Sequence, residues 1–239
     1  MIFITSISPK HINDQLKATD TWHSMGKVYS LNCKAEIELL KKQYPKIEFI
    51  ETTRTLEKTY GKPVVSISAM FDFALSLKDE NFCFINSDIE LHDNKRLITN
   101  IKHALELSVV VANRIDYTEK NPKETSLKVY YTGIDAFFLN RKHIEIYPKS
   151  MFAMGQCFWD YNVPFTAIKQ GINVYLLKNR FLFHKEHPLQ YSNENWLKTG
   201  RYFQIEHDLF QFDNSTYGIG KMSDFVFNKI YKTMIKKEL

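Results

Sequence analysis

Phe82-Cys83-Phe84-Ile85 is an uninterrupted apolar run, and Asn86-Ser87-Asp88-Ile89-Glu90 follows it directly. Such a run reads as a central strand buried on both faces. A carboxylate at the end of a buried strand is costly unless it faces an open, functional mouth. Asp88 is therefore the first candidate for chemistry. Hard cations take oxygen ligands and share them with substrate phosphates, so one or two carboxylates suffice to hold Mg²⁺ or Mn²⁺. Asp88 and Glu90 alternate to the same side of an extended chain, which lets either meet such an ion directly or through water. The plainer reading is a turn, because Asn, Ser and Asp satisfy backbone groups locally.

A carboxylate at a strand end needs a frame, and the chain before it supplies one. Ile2 to Ile7 reads as a first strand ended by Ser8 and Pro9. His11 to Met25 carries Ile12, Leu16, Ala18, Trp22 and Met25 at helical spacing before the stop at Gly26. Val28 to Leu31 is a second strand, Ala35 to Tyr44 a helix halted by Pro45, and Ile47 to Glu51 a third strand. Parallel strands need crossovers long enough to hold a helix, so this alternation predicts an α/β fold with a mostly parallel sheet. Ligands in such sheets gather at the carboxyl ends of the strands.

Further on, Pro63 to Leu77 and Leu97 to Leu107 read as helices, and Val109 to Ala112 as a strand. The polar stretch Asp116 to Lys128 reads as a surface loop over a site. Gly133 to Leu139 resumes strand character, Met151 to Gln170 is loop then helix, and Asn173 to Leu177 is a late strand. Past His187 the chain turns aromatic and polar until an amphipathic ending from Asp224. Residues 1–190 are expected to form the catalytic unit, with 191–239 an aromatic and helical extension packed on or beside it.

With these elements in place, Phe82 to Ile85 followed by Asn86-Ser87-Asp88 resembles the Asp-X-Asp metal motif of GT-A fold glycosyltransferases, with Asn86 replacing the first Asp. The resemblance implies a GT-A-like sheet with a Rossmann-like N-terminal half, helices on both faces and a C-terminal helical extension. It implies that Asp88 meets a divalent ion on the diphosphate of a nucleotide sugar, with Asn86 and Ser87 beside it. Gly133 to Phe138 is similar to the family's acceptor-side strand and contains Asp135. Phe158-Trp159-Asp160 looks like the segment that carries an acidic residue facing the acceptor hydroxyl, inside an aromatic wall for a sugar. His184 and His187 fall where the family supplies a further metal or diphosphate ligand.

The resemblance thus implies transfer of a sugar from a nucleotide-diphosphate donor to a glycan or other hydroxyl acceptor. Asp160 is the first candidate for general base and Asp135 the second. Each also has a structural reading, Asp160 as an acid beside a helix dipole and Asp135 as a buried hydrogen-bond partner. Of the two histidines, His184 is favoured as a ligand because it ends the run Phe181-Leu182-Phe183, although the same spacing suits ordinary structural histidines. Lys185 suits a phosphate contact. For base and ribose the candidates are Thr5 and Ser6, Asn32, Arg54 and Lys62, polar residues at strand ends that equally suit helix capping.

Composition narrows the rest. The formal charge is +5, with Lys spread along the chain, which gives little support for nucleic acid. The densest basic run, Lys229, Lys232, Lys236 and Lys237, reads either as the solvated face of a helix or as a peripheral membrane or partner-docking contact. Three widely spaced cysteines form no disulfide or zinc pattern, the start Met1 to Ser8 lacks the features of a signal peptide, and no apolar run is long enough to span a membrane. A cytoplasmic enzyme is expected. Two alternatives share the fold class. A sugar-phosphate nucleotidylyltransferase is disfavoured by the glycine-free loop Ser6 to Lys10, and a non-catalytic binding module is kept open by Asn86.

Overall fold

The structure is a computed structural model that describes residues 1–92, 95–118, 129–178, 180–187 and 192–239. The first half runs β1 (Ile2–Thr5), α1 (Ile12–Trp22), β2 (Lys27–Asn32), α2 (Lys34–Leu40), β3 (Glu48–Glu51), α3 (Glu57–Tyr60), α4 (Ile67–Ser76) and β4 (Asn81–Ile85). Then come β5 (Ile89–Leu91), α5 (Lys95–Ala104), β6 (Ser108–Tyr117), β7 (Val129–Asn140), α6 (Arg141–Ile144) and α7 (Trp159–Lys169). The remainder is β8 (Asn173–Leu177), β9 (Leu182–Lys185), α8 (Asn193–Glu206), α9 (Thr216–Thr233) and β10 (Ile235–Lys237).

The sheet follows the order β10-β8-β6-β7-β4-β1-β2-β3. Strands β3, β2, β1 and β4 are parallel, forming the expected Rossmann-like half. β7 enters antiparallel between β4 and β6, after which β6, β8 and β10 are parallel again. The sheet is therefore mixed and mostly parallel, with β4 inside it. The composition of β4 follows from its position. Phe82 and Phe84 enter one core cluster, with Met70, Phe71, Phe152 and Trp159, while Cys83 and Ile85 enter the other, with Trp22, Leu97 and Ile101. With a core on each face, neither side of the strand has room for a polar residue.

Several boundaries differ from the sequence expectation. The helix expected from Pro63 starts at Ile67, because Ser66 caps it by accepting from the Ala69 amide at 3.1 Å. Val65 before it is extended and bridges Thr55. Asp116 and Tyr117 belong to β6 and not to a loop, since Asp116 pairs with His184 and Tyr117 with Lys185 of β9. Residues 119–128 of that expected loop lie outside the described residues. The expected helical extension includes a helix, α8, in the stretch past His187 where the sequence shows no helical spacing, and α9 begins at Thr216, well before Asp224. Lys229 and Lys232 lie on α9, but Lys236 and Lys237 pair with β8 as a strand.

Residues from α8 and α9, among them Phe203, Ile219, Met222 and Val226, share a core cluster with Phe137 and Phe165. Among the described residues, no helix is long and apolar enough to cross a membrane.

Candidate active site and metal centre

A cleft of about 450 Å³ opens along the carboxyl ends of the strands, where an α/β sheet places its ligands. Ser6 after β1, Asp88 after β4, Arg114 on β6, Asp135 on β7 and His184 on β9 all line it. The Asn86–Ile89 segment is a tight turn, closed by the Ile89 amide donating to the Asn86 carbonyl at 3.2 Å. Two side chains of the turn are tied down. Asn86 Nδ2 donates to Asp135 Oδ1 at 2.7 Å, and Ser87 Oγ donates to Gln15 Oε1 at 2.6 Å. Asp88 stays accessible, with its side chain 31% exposed.

Strand β9 brings the histidines to Asp88. It pairs with β5 on one side, setting His184 opposite Ile89, and with β6 on the other, setting His184 opposite Asp116. As a result His184 Nε2 lies 3.6 Å from Asp88 Oδ2, His187 Nε2 lies 3.2 Å from the same oxygen, and the two ring nitrogens are 3.2 Å apart. Ligands about 2.1 Å from one ion and at right angles to each other lie about 3 Å apart, so this triangle fits a metal ion. Among the described residues, Asp88, His184 and His187 form the group that could hold one. The ring of His11 stacks on that of His187 at 5.9 Å and 8°. His11 itself adopts a left-handed backbone, φ 52°, ahead of α1.

Behind the triangle runs a chain of charges. His184 Nδ1 is 2.8 Å from Asp116 Oδ1, the arrangement in which a carboxylate fixes a ligand imidazole by its far nitrogen. Arg114 Nε donates to Asp116 at 2.8 Å, and its Nη1 donates to both oxygens of Asp135 at 3.2 and 3.3 Å. Burial alone would raise the pKa of Asp88, but His184 and His187 outweigh it and hold the carboxyl well below its ordinary value. Burial alone would lower that of His184, but Asp116 and Asp88 lift it to about 9. Asp135 is raised by burial, against the pull of Arg114.

Asp160 sits differently. It occupies the first turn of α7, where its Oδ1 accepts from the Tyr161 amide at 3.1 Å. Burial, reinforced by the charge of Asp135, pushes its pKa up to about 7. Phe158 starts this helix with φ 63°, a genuine outlier for a bulky residue. Trp159, expected in an aromatic wall, is instead buried on Phe137 with ring centroids 4.9 Å apart. Trp159 thus reaches the cleft with little exposed surface, and Trp196 and Tyr161, both partly exposed, line it as well.

The other sequence candidates divide into two groups. Ser6, Lys62, Asn86, Ser87 and Glu90 line the cleft. Burial and the nearby charge of Lys10 lower the pKa of Lys62. Glu90 lies apart from the metal triangle because its carboxylate is taken by Lys17 at 2.9 Å and by the hydroxyl of Tyr117. Thr5, Asn32 and Arg54 are not brought to the cleft. Thr5 is buried with its hydroxyl directed at Met154 Sδ, 3.7 Å away. Asn32 is buried against Ser30, the Ile7 carbonyl and Glu36. Arg54 pairs with Asp72. Sequence reasoning missed Arg114 and Asp116, because Asp116 gains His184 only when β6 pairs with β9 and Arg114 gains Asp135 only when β6 pairs with β7.

No family model and no curated protein matches the chain. Among solved structures it is similar to residues 1–349 of S. aureus TarS, at 12% identity and a TM-score of 0.48, covering 96% of this chain and 69% of that one. Against a longer TarS structure it spans 42% of the other chain, at 11% identity and a TM-score of 0.47. It is also similar to HddC from Yersinia pseudotuberculosis, at 14% identity and a TM-score of 0.39, covering 84% of this chain and 98% of that one.

Proposed function

We propose that this chain is a metal-dependent glycosyltransferase that moves a sugar from a nucleotide-diphosphate donor to a hydroxyl acceptor. The observation that carries the proposal is the presence, in one cleft at the strand ends, of the Asp88–His184–His187 triangle and of a carboxyl, Asp160, whose pKa is raised to about 7. A divalent ion held by the triangle would offset the negative charge that grows on the leaving diphosphate. Two imidazoles beside one carboxylate suit Mn²⁺ better than Mg²⁺, which favours an all-oxygen shell. Lys10 and Lys62, close enough in the cleft for the charge of one to depress the pKa of the other, suit an anion between them.

On the acceptor side, the acceptor oxygen bonds to the anomeric carbon as the bond from that carbon to the diphosphate oxygen breaks. Asp160 takes the hydroxyl proton, and a base that titrates near neutral pH is well matched to that task. Asp135, held by Arg114 and Asn86, positions its neighbours instead of acting as the base. Three free cysteines, two of them buried, support a reducing compartment such as the cytoplasm.

Calorimetric titration with UDP and GDP, with and without Mn²⁺, paired with assays of donor hydrolysis and transfer, tests the proposal. Mn²⁺-dependent nucleotide binding with turnover of a nucleotide sugar is expected, and Asp88→Ala should remove both. Equal nucleotide binding with and without metal would refute the metal role. Metal-dependent binding with no turnover across a donor panel would instead mark a binding module.

A further inference from the structure

Trp196 stands in the first turns of α8 and lines the cleft, partly exposed, with its ring 5.9 Å from that of Phe158. The other two tryptophans, Trp22 and Trp159, are 0% and 3% exposed. One helical turn after Trp196 comes Gly200. A Cβ there would lie 2.4 Å from Ile219 Cγ2 and 3.3 Å from the Phe158 ring. Only glycine lets α8 lie this close to α9 and Phe158, and that close approach carries the preceding turn, with Trp196, to the cleft. Phe158 pays for its own place with a left-handed backbone, and Tyr161 meets its ring edge-on at 6.1 Å. Two unfavourable local choices thus hold an aromatic surface at the end of the cleft that carries Asp160.

Charge is divided along the cleft in the same way. Among the described residues, its lysines and arginines are Lys10, Lys62, Arg114 and Lys185, from the segments around β1, α4, β6 and β9. Helices α7, α8 and α9 contribute Trp159, Asp160, Tyr161, Trp196 and Ser223, none of them a cation. The two cations of α8 that follow Trp196 are engaged elsewhere, Lys198 donating to the Thr59 carbonyl at 2.5 Å and Arg201 to the Asn214 carbonyl at 3.0 Å. The charge of Arg114 reaches Asp160 but is shared with Asp116 and Asp135, so a phosphate-bearing acceptor would need further positive charge beside Asp160. A neutral pyranose needs a flat apolar surface for its C–H face and a few polar groups for its hydroxyls.

We infer that the acceptor is a neutral sugar stacked on Trp196, with one hydroxyl presented to Asp160; this rests on the glycosyl-transfer reading above. The test uses the full chain loaded with Mn²⁺ and whichever of UDP or GDP binds. Methyl glycosides of glucose, galactose and N-acetylglucosamine, glycerol 3-phosphate and a serine-containing peptide are titrated onto it by calorimetry, and each is assayed as acceptor. At least one glycoside is expected to bind and accept. Trp196→Ala should weaken that binding and raise its KM by about tenfold, with nucleotide affinity held within about twofold, and Trp196→Tyr should recover most of the loss. Trp196→Leu, which keeps apolar bulk but removes the ring, serves as the readout if the alanine variant melts early.

Glycoside binding that is equal in wild type and in whichever of the alanine and leucine variants folds would overturn the assignment. So would binding of glycerol 3-phosphate or the peptide in place of the glycosides. Absence of metal-dependent nucleotide binding in the wild type would overturn the glycosyl-transfer reading and this one with it, whereas intact nucleotide binding with no glycoside bound overturns this one alone.

Discussion

At the strand end of the cleft, Asp88, Asp116 and Asp135 each face a cationic or imidazole partner between 2.8 and 3.6 Å away, whereas at the helix end Asp160 has neighbours that are chiefly aromatic. The same side chain responds in opposite directions. Histidines hold Asp88 well below its ordinary pKa, and burial lifts Asp160 to about 7. The difference is one of chemistry required. Gripping an ion and a diphosphate calls for charges that are fixed and always present, while taking a proton calls for a carboxyl that is ionised only marginally at neutral pH.

The sharpest way to break this comparison is to remove charge at the strand end. Asp88→Ala should lower turnover of the nucleotide sugar by about 10⁴-fold, the several kcal/mol that a bound ion contributes to the leaving group. Because Asp88 is partly exposed, the melting temperature should hardly change, and wild-type turnover in the variant would make Asp88 a turn residue only. At the helix end, Asp160→Asn should cut kcat by about 10³-fold. Calorimetry should find its affinities for nucleotide and Mn²⁺ close to wild type. An unchanged kcat would leave Asp160 as an ordinary helix-start acid.

A smaller effect is expected behind the triangle. Asp116→Asn should weaken Mn²⁺ binding by roughly 10- to 100-fold, because His184 loses the partner that fixes its orientation. Direct Mn²⁺ titration followed by paramagnetic resonance reads this without reference to activity, and an unchanged affinity would make Asp116 a structural ion-pair partner.

The smallest effect is one of stability. The folded chain holds the Asp160 proton up to about pH 7, above the ordinary carboxyl range, so it binds that proton more tightly than the unfolded chain does. The resulting stabilisation is complete below about pH 4 and is lost as pH rises to about 7. An amide carries no such loss. Asp160→Asn should therefore melt above wild type at pH 8 and together with it at pH 4, and a constant offset at both would remove the titration from the account.

The strand-end half of this picture was largely legible in the sequence. Four apolar residues followed by Asn-Ser-Asp form a local pattern, and β4 with Asp88 lies where that pattern puts it. Asp116 carries no local signal. Its partner His184 lies 68 positions away in sequence and meets it only through pairing of β6 with β9, while Arg114, two residues back on the same strand, reaches Asp135 only through pairing of β6 with β7. Helix α8 was hidden for another reason. Its buried face includes Thr199, Gly200 and Gln204 beside Phe203, so hydrophobic spacing is interrupted where the packing is tightest. Trp159 and Trp196 cannot be told apart by residue type. The left-handed start at Phe158 and the close approach at Gly200 decide which ring is buried and which faces the cleft.

Strand β10 bears on how copies of this protein behave toward one another in concentrated solution. It lies in parallel against β8, and the Lys178 amide continues the ladder by donating to the Lys237 carbonyl at 2.9 Å. Without it, β8 would present a row of unpaired amides and carbonyls, a template for joining the sheet of another molecule and so for aggregation. β10 itself is three residues long and carries Lys236 and Lys237, so like-charge repulsion opposes any further strand along that margin. The lysines that looked like one face of a membrane-binding helix in the sequence thus in part guard a sheet edge against self-association.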